Sequence, residues 1–220
     1  MYLPEHFAQR DRQALHELIR AHPLATLVTL GDGELVVNHL PLLLDADAGP
    51  HGTLRGHVAR ANPVWRQFSD RVPTVAIFRG PDAYVSPAWY PSKAAHGKVV
   101  PTWNYAVVHA RGMPRAIDDR DWLRTLVDDL TRVHEAATGS PWMLADAPPD
   151  FAQQMLAAIV GIELPIATLV GKWKTSQNRA AADRDGVVRA LDASGNHSAR
   201  AMARLVEGEP RSPEGPRTPL

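Results

Sequence analysis

Residues 24–45, LATLVTLGDGELVVNHLPLLLD, read as two strands around one tight turn. LATLVTL is rich in β-branched and apolar residues, and GDG at 31–33 supplies the residues that tolerate positive φ in a short hairpin. The returning run carries Asn38 and His39 in an otherwise apolar stretch, then Pro41. Proline has no N–H to give a central ladder, so this strand belongs at an edge or a bulge. An antiparallel hairpin with an edge strand sets the fold class for the rest of the chain.

Working outward, Leu15, Leu18 and Ile19 fall at helical spacing and the pattern stops before Pro23. Downstream, GTLRGHVA at 52–59 predicts a further strand. Asn62 and Pro63 then read as N-cap and first position of a short helix burying Val64, Trp65 and Phe68. PTVAIF (73–78) and AYVSP (83–87) predict two strands separated by an RGPD turn, and 87–101 reads as a long loop. WNYAVVHA and MPRAI continue as strands. A helix capped by Asp118 or Asp119 follows, with Trp122, Leu126, Leu130 and Val133 as its apolar stripe. PPDFAQQMLAAIVG predicts another helix, IELPIATLVGKWK one late strand, and TSQNRAAADRDGVVRALDAS and HSARAMARLVEG two terminal helices. The expectation is a mainly β fold, an antiparallel barrel with inserted and C-terminal helices, as a single domain over 1–205. Residues 206–220, rich in Pro, Gly and charge, read as a disordered tail.

Composition narrows the function. Of 220 residues, 45% are apolar and 22% charged, with Lys+Arg and Asp+Glu both at 24 and no cysteine. No net field favours nucleic acid, and thiolate chemistry and disulfides are excluded. The charged N-terminus does not read as a signal peptide, and no apolar run approaches a membrane span, so the expected location is cytoplasmic. GKWKT fails as a phosphate loop because the glycine required five residues before Gly171 is Ile166. The ten histidines show no metal-ligand spacing, so no metal site is expected.

Four segments carry more polar chemistry than a core needs. In VVNHLP, edge backbone can hydrogen-bond a flat heteroaromatic ring. In GHVARANP, Arg60 and a helix start could hold a phosphate. In PTWNY, Trp103 and Asn104 could stack on and hydrogen-bond to a planar ring. In GKWKTSQNR, Lys172 and Lys174 share a strand face, two residues apart, ahead of a hydroxyl and two amides. Each also has a bland reading: an exposed alternating strand, a capped helix with a solvated arginine, strand-start aromatics, a solvated strand end.

Taken in order, MYLPEHF, NHLPLLLD, GHVARANPVWR, FRGPDAYVSPAWY, VPTWNYAVVHARG and VGKWKTSQNR resemble the PaiB family of FMN-binding split-barrel proteins, often named negative transcriptional regulators. The blocks span residue 1 to about 180; the 93–99 loop, KAAHGKV, is where this chain departs. The resemblance implies a split β-barrel that dimerises with FMN at the subunit interface. Carried over by position, it suggests Asn38, His39 and Leu40 near the ring and His57, Ala59, Arg60 and Asn62 near the phosphate. Thr102, Trp103 and Asn104 would lie around the flavin, with Lys172, Lys174, Ser176 and Gln177 in the same pocket or on a dimer-facing surface. The implied role is regulatory or sensing. The alternative is an FMN-dependent oxidoreductase using NAD(P)H, in which His39, Tyr105 or His109 are the available proton donors. Direct DNA binding is left open: no basic recognition helix stands out, which makes an indirect route at least as good a reading.

Overall fold

The structure is a computed structural model that describes residues 1–31 and 33–208. Strands β1 (Ala8–Gln9), β2 (Leu24–Gly31), β3 (Glu34–Pro41), β4 (Leu43–Asp45), β5 (Thr53–Ala59), β6 (Thr74–Val85), β7 (Thr102–Gly112), β8 (Arg115–Ile117), β9 (Ile159–Pro165) and β10 (Thr168–Lys174) form antiparallel sheets. Helices are α1 (Arg12–Ala21), α2 (Ser92–His96), α3 (Arg120–Thr138), α4 (Pro149–Ala157), α5 (Ala181–Ala193) and α6 (His197–Gly208). The chain forms two compact units. Unit one holds residues 1–15, 79–108 and 170 onward; unit two holds 16–78 and 109–169.

Unit two is built on the hairpin read from the sequence. β2 and β3 pair from Leu24↔Pro41 to Gly31↔Glu34, and Gly33 closes the turn at φ 86°. No L-residue with a side chain adopts that φ cheaply. β2 also pairs with the first half of β6 through Thr26↔Ile77 and Val28↔Val75, which leaves β3 at the sheet edge, as Pro41 requires. A second sheet in this unit runs β4-β5-β9-β8, and neither sheet closes on itself among the described residues. Alternate residues point inward, so Ala25, Leu27, Leu40, Leu42, Leu54, Ile162 and Leu164 are buried. Helix α3 starts where Asp119 accepts the Trp122 N–H at 2.8 Å and ends at left-handed Gly139. It buries Leu123, Leu126 and Leu130 against its unit, while Val133 is exposed.

Unit one places β1, β10, β7 and the second half of β6 side by side. Its core sets Ala83, Val85 and Tyr90 against Val187 and Leu191 of α5 and Ala199, Met202, Ala203 and Val206 of α6.

Three expectations are corrected. RGPD is not a turn: β6 runs unbroken from Thr74 to Val85. Pro81 can donate no hydrogen bond, but Ser198 stands in for a ladder partner at Asp82, accepting its N–H at 3.1 Å and donating to its carbonyl at 2.9 Å. The late strand is two strands, β9 and β10. The chain leaves β9 at Pro165, and the next amides go elsewhere, Ile166 to the Gly52 carbonyl at 3.0 Å and Ala167 to the Arg111 carbonyl at 2.8 Å. Helix α6 extends to Gly208 with Val206 buried, so the ordered chain passes the boundary expected at 205; the remaining expected tail, 209–220, lies outside the described residues.

Among the described glycines of unit two, Gly112 leaves an added Cβ the least room beside backbone. A Cβ there would stand 2.0 Å from the Pro165 carbonyl oxygen, an atom that cannot swing away. Gly112→Ala should therefore lower the denaturation midpoint, by about 1–3 kcal/mol or more of stability in urea titration.

Candidate functional site

The fourteen residues singled out from the sequence fall into two clusters, one in each unit.

In unit two, β3 carries Asn38, His39 and Leu40, and the end of β5 leads into Arg60 and Asn62. Asn62 works in two directions. Its side-chain oxygen accepts the Val64 N–H at 3.0 Å, capping the short 3₁₀ helix Pro63–Arg66, and its amide donates to Asn38 Oδ1 at 2.7 Å. The two asparagines are thus brought together. His39 is exposed on the opposite face of β3, with Nδ1 3.2 Å from the Thr26 hydroxyl, while Leu40 is buried core. His57 is half-buried and its Nδ1 has no hydrogen-bond partner among the described residues; burial lowers its pKa from the ordinary 6.5. Ala59 is exposed and pairs through its backbone with Ile159.

Arg60 is committed to protein. Its Nε donates to the Ala157 carbonyl at 2.8 Å, its two Nη atoms grip Asp118 at 2.8 and 2.6 Å, and Nη2 also reaches the Ile159 carbonyl at 3.0 Å. Of the five N–H donors of a guanidinium, four are spent. The clamp ties the end of β5 to the start of β9 and to the approach of α3.

In unit one, β7 and β10 present the second cluster. Asn104 is fully buried and donates to the Ser176 hydroxyl at 2.9 Å. Ser176 is held at φ 63°, the one left-handed non-glycine among the described residues. Gln177 folds back, accepting the Thr175 N–H at 2.7 Å and donating to the Trp173 carbonyl at 2.6 Å. Lys174 donates to the Thr102 hydroxyl and, at 2.8 Å, to the Trp103 carbonyl. Lys172 is 8% exposed; its ammonium donates to the Tyr2 carbonyl at 3.1 Å and lies 5.4, 5.7 and 6.0 Å from the Tyr105, Tyr2 and Phe7 rings. Burial lowers the pKa of Lys174, and the charges of Lys172 and Arg179 lower it further.

Trp103 is 55% exposed and meets Tyr84, 46% exposed, edge to face at 5.9 Å. These rings on neighbouring strands β7 and β6 make an aromatic surface open to solvent. Two members of this cluster were missed in the sequence. Tyr84 looked like an ordinary alternating strand residue. Arg179, whose guanidinium lies 5.0 Å over the Tyr90 ring, closes the GKWKTSQNR block but was not singled out.

Comparison with known proteins gives a family and a shared fold. Residues 1–168 match the family described as "Putative FMN-binding domain". The chain is 30% identical over 207 residues to Protease synthase and sporulation protein PAI 2 of Bacillus subtilis, covering 94% of this chain and 97% of that one. It is 33% identical over 243 residues to an uncharacterized protein of Emericella nidulans, covering 94% and 96%. Among solved structures, the flavocytochrome Anf3 of Azotobacter vinelandii superposes with TM-score 0.59 at 16% identity, covering 76% of this chain and 69% of that one. The FAD and heme binding protein of Mycobacterium smegmatis gives 0.54 at 19%, covering 76% and 73%. At these identities the two structures share the fold.

The Arg60 clamp has a pH signature. Its hydrogen bonds hold the Asp118 carboxyl below the ordinary 3.8, so the unfolded chain binds that proton more readily than the folded one. The stabilisation is present above the ordinary carboxylate value and is lost as pH falls through the lower folded value. Asp118→Asn should lower the thermal midpoint at pH 7, and the gap to the parent should close in strong acid. An equal gap at every pH would contradict the assignment.

Proposed function

We propose, on the premise that this chain belongs to the PaiB-type family of FMN-binding domains, that it is a flavin-binding protein with a regulatory or sensing role, acting as a homodimer. FMN is its cofactor by that membership. The observation that carries the reading is the family match over residues 1–168, and the chemistry of unit one supports it. FMN joins a planar apolar ring system to a phosphate. Unit one offers solvent-open indole and phenol rings at Trp103 and Tyr84 and, on β10 and the turn after it, cations that pair with no carboxylate among the described residues.

Support for a dimer comes from unit two. Edge strand β3 leaves Leu35 at 73% and Val37 at 55% exposure, and Leu24 on the neighbouring strand is exposed on the same face. An apolar face on an open sheet edge is what a second copy can cover, and an isologous interface uses one patch twice. Asn38, His39 and His57 remain proposed flavin contacts in this unit, offering edge backbone and an unpartnered ring nitrogen.

The regulatory role is supported by the name of the Bacillus relative, Protease synthase and sporulation protein PAI 2. Equal numbers of basic and acidic residues favour an output through a protein partner or the flavin's own state over a grip on DNA phosphates.

Titrating FMN with the protein should quench flavin fluorescence and perturb the visible absorption of the ring; no change in either would overturn the reading. Sedimentation should give a dimer, and Leu35→Asp with Val37→Asp should shift it to monomer. A monomeric parent would refute the dimer.

A further inference from the structure

Every cation taken partly out of water needs compensation, and in unit one three of them obtain it only from neutral groups. Lys174 has a hydroxyl and a carbonyl, Lys172 a carbonyl and three aromatic rings, Arg179 the face of Tyr90. No carboxylate forms an ion pair with any of the three among the described residues. The acid whose charge reaches this neighbourhood, Asp183, is turned to Ser92, accepting its N–H at 3.0 Å and its hydroxyl at 2.7 Å. Burial, and after it the charges of Lys172 and Arg179, weaken the hold of Lys174 on its proton.

Lys174 retains capacity for a ligand. An ammonium has three donors, and two are used, on Thr102 and Trp103. Its partner Trp103 is the exposed ring of the aromatic pair, so cation and stacking surface share one residue. Arg60 presents the opposite case. With Asp118 bidentate on its guanidinium, an arriving phosphate would meet a carboxylate already in place. The N–H at the start of the Pro63–Arg66 turn is occupied as well, by Asn62.

We infer that Lys174 and Arg179, backed by the charge of Lys172, form the site for a phosphate monoester, namely the phosphate of FMN. The inference rests on the FMN reading and moves the phosphate away from Arg60, where the family resemblance suggests it. A dianion here neutralises a cluster that the protein leaves uncompensated, and its charge-assisted hydrogen bonds gain strength from the partial burial of Lys174.

Riboflavin carries the same ring without the phosphate, which separates the two claims. Fluorescence titrations of both flavins are run on the parent, Lys174→Met, Lys174→Arg and Arg60→Lys. The parent should prefer FMN to riboflavin. Lys174→Met should weaken FMN by about tenfold or more, the scale of one charge-assisted contact, and leave riboflavin within about twofold. Unchanged riboflavin binding also shows that the variant is folded. Lys174→Arg should restore most of the FMN preference, and Arg60→Lys should leave it intact. Equal losses for both flavins in Lys174→Met, or a preference that survives there and disappears in Arg60→Lys, would overturn the phosphate assignment alone. A parent that binds neither flavin would overturn the FMN reading and this assignment with it.

Discussion

The partners a cation already holds decide whether it can take another, and the two units of this chain supply those partners in opposite ways. In unit two, Arg60 is closed off by Asp118 and two carbonyls, so the guanidinium becomes a structural tie between the ends of strands and the approach to α3. In unit one, Lys172, Lys174 and Arg179 have carbonyls, a hydroxyl and aromatic faces, and no counter-ion among the described residues. The first arrangement is complete as it stands. The second, on the inference drawn above, is completed by the phosphate of the flavin that the family's description names.

The local structure around each group follows from chemistry close by in the chain. Lys172 and Lys174 share a face because they lie two apart on β10, and Trp103 is exposed because β7 alternates between the core and solvent at that end. Asn62 caps a turn and, through its spare amide, holds Asn38 of the edge strand. Such doubly used side chains fix a strand's position without adding apolar bulk, and here the outward face of β3 stays exposed at Leu35 and Val37.

Much of the fold was legible in the sequence where the signal is local. GDG between alternating apolar runs marked the hairpin, Pro41 marked its edge, and Asn62 and the pair Asp118 and Asp119 marked two helix starts, the second of which Asp119 caps. What was not legible depends on partners far along the chain. RGPD reads as a turn by its composition, but Ser198, 116 residues away, supplies the hydrogen bonds that keep Asp82 in a strand. Arg60 reads as a free guanidinium at a helix mouth until Asp118, 58 residues on, closes on it. Arg179 and Tyr84 belong to unit one's cluster through tertiary placement, and neither has a spacing signature of its own. The sites most open to misreading were those where a polar residue's partner lies outside any local window.

The account's central claim is that the flavin's anionic end belongs to the Lys174 cluster and that Arg60 is structural. A crystal structure of the FMN complex tests it most directly. The account predicts a phosphate oxygen within about 3 Å of Lys174 Nζ, the usual charge-assisted distance, with the Arg60–Asp118 pair intact. A phosphate seated on Arg60 with Asp118 displaced would contradict it.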